Sequence, residues 1–196
     1  MTAWPSALLP ERMTIQLVSV SGGTAPSPYS GRQHFFRLPG GFWRAGFSWS
    51  SAREAQWRQI MGFVAGLGGR AGRFTLADPG YRIALGGFTS GTVTATGTAL
   101  ASTVALAGLA GTNPVLVIGD RLSIADRLYM VTADATHTAG AATVSIAPPL
   151  RASCSSAAVN LTAPVGTFSL ADDQQGSVGI RPPWFGEVSI EMVEPL

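Results

Sequence analysis

The sequence predicts a mainly β protein with one α-helix, a helix-flanked β-sandwich interrupted by a smaller all-β barrel. Three observations lead there. One phrase is written twice, as Gly72-Arg73-Phe74-Thr75-Leu76-Ala77-Asp78 and as Gly166-Thr167-Phe168-Ser169-Leu170-Ala171-Asp172. Each copy reads as a short strand with Phe and Leu on one face and Asp at its end. The stretch between the copies shifts to Ala, Gly, Thr, Ser and Val in short alternating runs. Only one segment, around Trp57 to Leu67, spaces its apolar residues as a helix does. Residues 1–85 together with 165–196 are therefore expected to form the sandwich, and residues 86–164 the inserted barrel.

Trp4 to Pro10 carries two prolines and large apolar residues without periodicity, which suggests an ordered arm laid across the domain. Met13, Ile15 and Leu17 alternate with polar residues and predict a half-buried strand. Ser21 to Gly31, rich in Gly, Pro, Ser and Thr, reads as a loop. Gln33 to Leu38 reads as a strand that Pro39-Gly40-Gly41 turns into the aromatic strand of Trp43, Ala45, Phe47 and Trp49, so the two are expected to pair as a hairpin. Ser51 with Glu54 is the pattern of a capping box. Trp57, Ile60, Met61, Val64 and Leu67 then present one apolar helix face, and Gly68-Gly69 ends the helix. Asp78-Pro79-Gly80 is turn chemistry.

In the inserted stretch, short strands are expected at Thr92–Thr96, Thr103–Leu109, Val115–Ile118, Arg121–Ile124, Leu128–Thr132, Ala142–Ile146 and Ala158–Leu161. The Arg121–Ile124 and Leu128–Thr132 runs, separated by Asp126-Arg127, read as a hairpin at the barrel centre, and Pro148-Pro149 stops the strand before it. The last strand, around Val188, Ile190 and Met192, is expected to pair with one of the earliest and so complete the sandwich.

Thirteen basic residues, all arginine, stand against eleven acids, with no block of either sign. This balance argues against a phosphate-binding surface and sequence-specific nucleic-acid binding. No apolar run reaches the roughly 20 residues of a membrane-spanning helix, and the start lacks the pattern of a secretory signal. The single Cys154 has no partner for an internal disulfide and suggests synthesis in a reducing cytoplasm. Catalytic chemistry is thin. His34, beside Phe35 and Phe36, and His137, in a Thr-rich turn, have neither a nucleophile's partner nor metal-ligand spacing. Asp172-Asp173 reads as turn chemistry rather than a carboxylate pair, and Gly66-Leu67-Gly68-Gly69 as a helix end rather than a phosphate loop. The expectation is a protein without catalysis, cofactor or metal. What remains is a surface: Trp4 and the Arg181-Pro182-Pro183-Trp184-Phe185 segment place aromatics beside proline, where interface anchors are common; the alternative reading is that Trp4 and Trp184 cap the ends of the sandwich.

In order along the chain, Trp4-Pro5, Gly41-Phe42-Trp43, the helix with Trp57, Gly72 to Pro79, Gly119-Asp120-Arg121-Leu122 with Arg127-Leu128-Tyr129, Pro149-Leu150-Arg151 and Phe168 to Ala171 resemble the minor and distal tail proteins of long-tailed bacteriophages and related gene-transfer particles. In that family a helix-flanked sandwich related to the tail-tube fold forms a hexameric ring joining the tail tube to the hub or baseplate. The resemblance implies the same for this chain: a virion protein of the tail tip, assembled in the host cytoplasm, with the tube and hub proteins and its own copies as partners. Typical members carry a carbohydrate-binding domain after the ring domain, whereas here the extra domain is inserted. The alternative is a receptor- or carbohydrate-binding module acting through residues 86–164. A ring needs heterologous contacts that close, which sheet edges continued across subunits would supply. Arginine suits fixed contacts to carboxylates across such seams. Arg44, Arg53, Arg58 and Arg73 are expected to include subunit contacts, alongside Trp4, Trp184 and Phe185.

Overall fold

Phe74 faces Phe168 across two antiparallel strands, so the two copies of the repeated phrase are direct neighbours. The computed structural model describes residues 2–78, 80–182 and 184–195. In chain order the elements are β1 (Thr2–Ala3), β2 (Arg12–Val18), β3 (Ser21–Gly23), β4 (Phe35–Arg37), β5 (Phe42–Ala52), α1 (Glu54–Leu67), a 3-10 turn at Gly69–Ala71, β6 (Phe74–Ala77), β7 (Phe88–Ser90), β8 (Val93–Gly97) and β9 (Thr103–Ala107). There follow β10 (Ala110–Gly111), β11 (Arg121–Ile124), β12 (Arg127–Val131), β13 (Ala141–Ala147), β14 (Cys154–Asn160), β15 (Val165–Leu170), β16 (Val178–Arg181) and β17 (Phe185–Val193). The protein is mainly β with this one α-helix.

One sheet runs β1-β6-β15-β17-β5-β2, with β16 also paired to β17. Its inner face follows from the period of two: Trp43, Ala45, Phe47 and Trp49 of β5 lie opposite Leu17, Ile15 and Met13 of β2 on one side and Met192, Ile190 and Val188 of β17 on the other. Trp43, Phe47, Trp49, Phe74 and Phe168 are almost wholly buried, each contributing about 2–3 kcal/mol of apolar burial. Helix α1 covers this face with Trp57, Ile60, Phe63 and Val64. Gly186 gives Trp57 room, because a Cβ there would collide with the indole. As expected, β17 enters last and sits between β15 and β5, so the sheet closes only when the C-terminus arrives.

The second body is a closed barrel, β11-β12-β13-β9-β8-β14. Its core is aliphatic, built on Val93, Val104, Leu106, Leu122, Val131, Val144 and Ile146. Ala95, Ala135 and Ala142 fill spaces that larger side chains would overpack. The β11–β12 hairpin turns at Ala125 and Asp126, both left-handed at φ 51° and 58°, the backbone a two-residue I′ turn requires. β13 ends at Ala147, ahead of Pro148. The expected run at Val115–Ile118 is not a strand: Leu116 makes a single bridge to Ala135.

Four local expectations change. β4 pairs with β3 rather than with β5, because β5 is already taken on both edges by β2 and β17. Ser21–Gly23, expected as loop, is therefore a strand. β5 extends through Ser51 to Ala52, so the helix is capped at Arg53, whose N–H donates to Gln56 Oε1 at 3.1 Å. Met61 is exposed and Phe63 packs instead, against Trp4 and Phe74. Gly68 ends the helix as expected, in the left-handed region at φ 66°.

Candidate interaction surfaces and the junction behind them

The sheet and barrel meet at a junction built from the barrel's arginines. Ala77 lies opposite Val165, so the chain leaves the sheet and returns to it at one point, and the β11–β12 hairpin leans onto the strands there. Leu128 of that hairpin belongs to the sheet's core, and its carbonyl accepts the Trp43 indole N–H at 2.8 Å. The Thr167 N–H donates to Asp126 O at 2.8 Å.

Three guanidinium groups close the junction. Arg121 pairs with Asp78, whose side chain is 2 % exposed, and lies 5.3 Å from the Trp43 ring centre. Arg127 and Arg151 share Glu194, at 3.6 and 3.3 Å. Arg151 also donates to the Gly41 carbonyl. The Trp43 N–H donates to Glu194 Oε2 at 3.2 Å. Burial lowers the Arg121 pKa from its ordinary value, yet guanidinium starts so high that it stays charged. Burial likewise raises the Tyr129 pKa against the barrel core. Asp78 is thus an ion-pair partner as well as a turn former, accepting the Gly80 N–H at 2.8 Å. Pro79, part of the expected turn, lies outside the described residues. Arginine's fixed carboxylate contacts are found here, inside the chain.

A second buried carboxylate fastens the entry to the barrel. Asp120 is fully buried and accepts three backbone N–H groups, from Leu85 at 2.7 Å, Gly86 at 3.1 Å and Val117 at 2.9 Å. The sequence suggested only a Gly-Asp break there.

The expected interface residues divide. Trp4 is not a projecting anchor. Its ring packs among Phe47, Trp49, Phe63 and Phe74 at centroid distances of 5.0–6.3 Å, because β1 pairs with β6 and carries the indole onto the sheet's inner face. Arg44 pairs with Glu191 on the open face of the sheet. Arg58 pairs with Glu54 one helical turn back, at 2.6 Å, and lies over Trp57. Arg53 and Arg73 are exposed and form no ion pair among the described residues. Trp184, 67 % exposed, and Phe185 stand at the turn between β16 and β17. Pro183 of that segment lies outside the described residues. Trp184 holds φ 77°, a left-handed backbone that costs a bulky L-residue about 1–2 kcal/mol. Glycine is the usual occupant of such a turn position. Trp184→Gly is accordingly expected to stabilise the protein by about 0.5–1 kcal/mol after the greater chain entropy of glycine is allowed for, measured by urea denaturation.

The β3–β4 hairpin projects Tyr29, Phe35, Phe36 and Leu38, all exposed. Sequence reasoning missed it as a hairpin, although adjacent exposed phenylalanines were its signal. The candidate chemical groups stay apart. His34 precedes β4 and is exposed, its N–H donating to Thr24 Oγ1 at 3.3 Å; the strand expected to hold it begins one residue later. His137 holds a loop together, with Nε2 3.2 Å from Gly111 O and its backbone joined twice to Asn113. Asp172 accepts the Gln174 N–H, a local turn contact, and Asp173 accepts the Arg70 N–H of the 3-10 turn after the helix. A cleft of about 710 Å³, lined in part by Arg70, Arg73, Asp173 and Glu194, is open and mixed in charge. Among the described residues no group of three or more His, Cys, Asp or Glu could hold a metal ion, and no helix is long and apolar enough to cross a membrane. Of the aromatics of 86–164, Tyr129 lies in the barrel core and the partly buried Phe88 packs against it.

Glu11 fastens the start of β2 to β5. Its pKa is lowered by hydrogen bonds from the Ser50 hydroxyl and N–H, with a smaller contribution from the Ser51 N–H. A carboxyl depressed in the folded state stabilises the fold above its ordinary pKa and loses that contribution as pH falls through the folded value. Ser50→Ala is expected to move the Glu11 midpoint up toward the ordinary glutamate range, read by carboxyl carbon NMR titration.

No protein-family model matches this chain, and a search of curated proteins finds no match to it.

Proposed function

We propose that this chain is a structural component of a long-tailed virion or related particle, forming a ring at the tail tip that joins the tail tube to the hub or baseplate. By the family resemblance the ring is hexameric, and the protein works by contact rather than catalysis. The observation that carries the reading is the placement of exposed large apolar side chains. The aromatic core of the sheet and the aliphatic core of the barrel are complete without them, yet Tyr29, Phe35 and Phe36 on one hairpin, and Ile180, Trp184 and Phe185 on another, remain in water. Exposed apolar groups grouped on projecting elements mark protein contacts. The seven-residue strand β2 adds an edge open to another strand, since among the described residues β5 is its only partner in the sheet. The balanced charge suits a channel that lets a nucleic acid pass without gripping it.

The rigid junction supports a scaffold in which the barrel is held at a fixed angle rather than offered on a tether. Purified full-length protein is expected to form closed rings in negative-stain images and a multiple of the monomer mass in sedimentation. Immunogold labelling of particles is expected at the tail tip. A protein that stays monomeric at every concentration and labels no tail would overturn the proposal.

A further inference from the structure

Among the exposed apolar groups, those of the β3–β4 hairpin already cover backbone of their own: Phe36 lies over Gly22 and Phe35 over Gly23. Trp184 differs. It is two-thirds exposed at the outer turn of β16–β17 and held in a left-handed backbone that favours glycine. Neither burial nor turn chemistry accounts for a tryptophan there.

The β1 edge of the sheet has a matching feature. β1 pairs with β6 for only two residues, Thr2 with Phe74 and Ala3 with Thr75. The chain then turns away, leaving a cavity of about 170 Å³ lined by Trp4, Leu8, Leu9, Leu76 and Ala77, with Ser6 as its one polar side chain. An apolar cavity of about 150 Å³ is large enough to bind benzene, so this one accepts an aromatic ring. Its walls are fixed: Trp49 Nε1 donates to Leu9 O at 2.9 Å and Trp4 N to Thr75 O at 2.9 Å. Leu9, at the rim, is exposed.

We infer that Trp184 of one copy inserts into the Trp4–Leu8–Leu76 cavity of a second copy. The inference rests on the ring reading above and names one of its seams. Knob and cavity are different patches of the same chain, so the contact is heterologous and repeats around a ring without using itself up. Tryptophan seated in an apolar pocket is the usual centre of binding energy at such a seam. The strain at residue 184 then follows from its use: the turn displays an indole that the isolated chain would be steadier without.

The test uses two full-length variants, each altered at an exposed side chain. Trp184→Ala removes the knob, and Leu9→Asp sets a charge on the cavity rim. Association is followed by analytical ultracentrifugation, with circular dichroism confirming that both fold. Each variant alone is expected to associate at least tenfold more weakly than the unaltered protein. An equimolar mixture is expected to form a one-to-one dimer that grows no further, because the mixed pair retains one intact knob and one intact cavity. If Trp184→Ala assembles like the unaltered protein, or the mixture stays monomeric, the knob is overturned while the ring stands. If the unaltered protein never associates and labels no tail, the ring falls and the seam with it.

Discussion

Replacing Glu194 with leucine is expected to lower the stability of the folded protein by about 3 kcal/mol, because the partly buried guanidinium groups of Arg127 and Arg151 lose the buried carboxylate they share. The side chain of Glu194 is 2 % exposed and is shared by Arg127 and Arg151; it also accepts the Trp43 N–H. A loss of that size is a large part of the 5–15 kcal/mol that ordinarily holds a domain. Urea denaturation followed by tryptophan fluorescence checks it. The sheet and its helix carry all five tryptophans, so the signal reports that part, while amide exchange reports the barrel. Combining Glu194→Leu with Arg127→Met and Arg151→Met is expected to recover most of the loss, since an apolar set of similar volume can replace a buried ion cluster at little cost. Full loss in the triple variant would show that the cluster acts through something other than its charges.

Asp120→Ala is expected to cost about 3–5 kcal/mol, by a different route. Three backbone N–H groups, of Leu85, Gly86 and Val117, lose the fully buried carboxylate that accepts them, and each donor left unsatisfied costs about 1–3 kcal/mol. Asp120→Asn is the informative companion. It keeps one carbonyl oxygen but turns an amide group toward a donor, so an intermediate loss is expected. Hydrogen exchange at those three amides is the direct check, and it should quicken well before global unfolding does. Unchanged protection in Asp120→Ala would mean that the loop is held by its surroundings instead.

Glu194 fastens the barrel to the sheet and Asp120 fastens the chain entering the barrel, and that bears on what the barrel is for. A module that samples receptors on a tether needs few fixed contacts, whereas this barrel lends Leu128 to the sheet's core and sends Arg121, Arg127 and Arg151 across the junction. Those are the only arginines of residues 86–164. Their convergence was the readable signal that sequence reasoning passed over: three cations in a charge-poor barrel, each in need of an acid elsewhere.

Local patterns carried much of the fold. The period of two in β5 and β17, the spacing of Trp57, Ile60 and Val64, Gly68 after the helix and Pro148 after β13 each act over a few residues, so the sequence alone was enough to place those elements. The repeated phrase went further, since its copies turned out to be partners, Phe74 against Phe168. Where elements compete for the same neighbour, sequence was not enough. The aromatic strand β5 could have paired with the run before it, but β2 and β17 satisfy its two edges, and β4 was left to pair with β3 outside the sheet. Trp4 and Trp184 are both tryptophans beside proline, and nothing local separates them. Pairing of β1 with β6 draws one into the core, and the β16–β17 turn holds the other out in water. Ion pairs such as Glu194 with Arg151 join residues 43 positions apart, a separation at which sequence spacing carries no geometric information. Periodicity decides which face of an element is apolar; only the folded chain decides what that face, or a lone charge, meets.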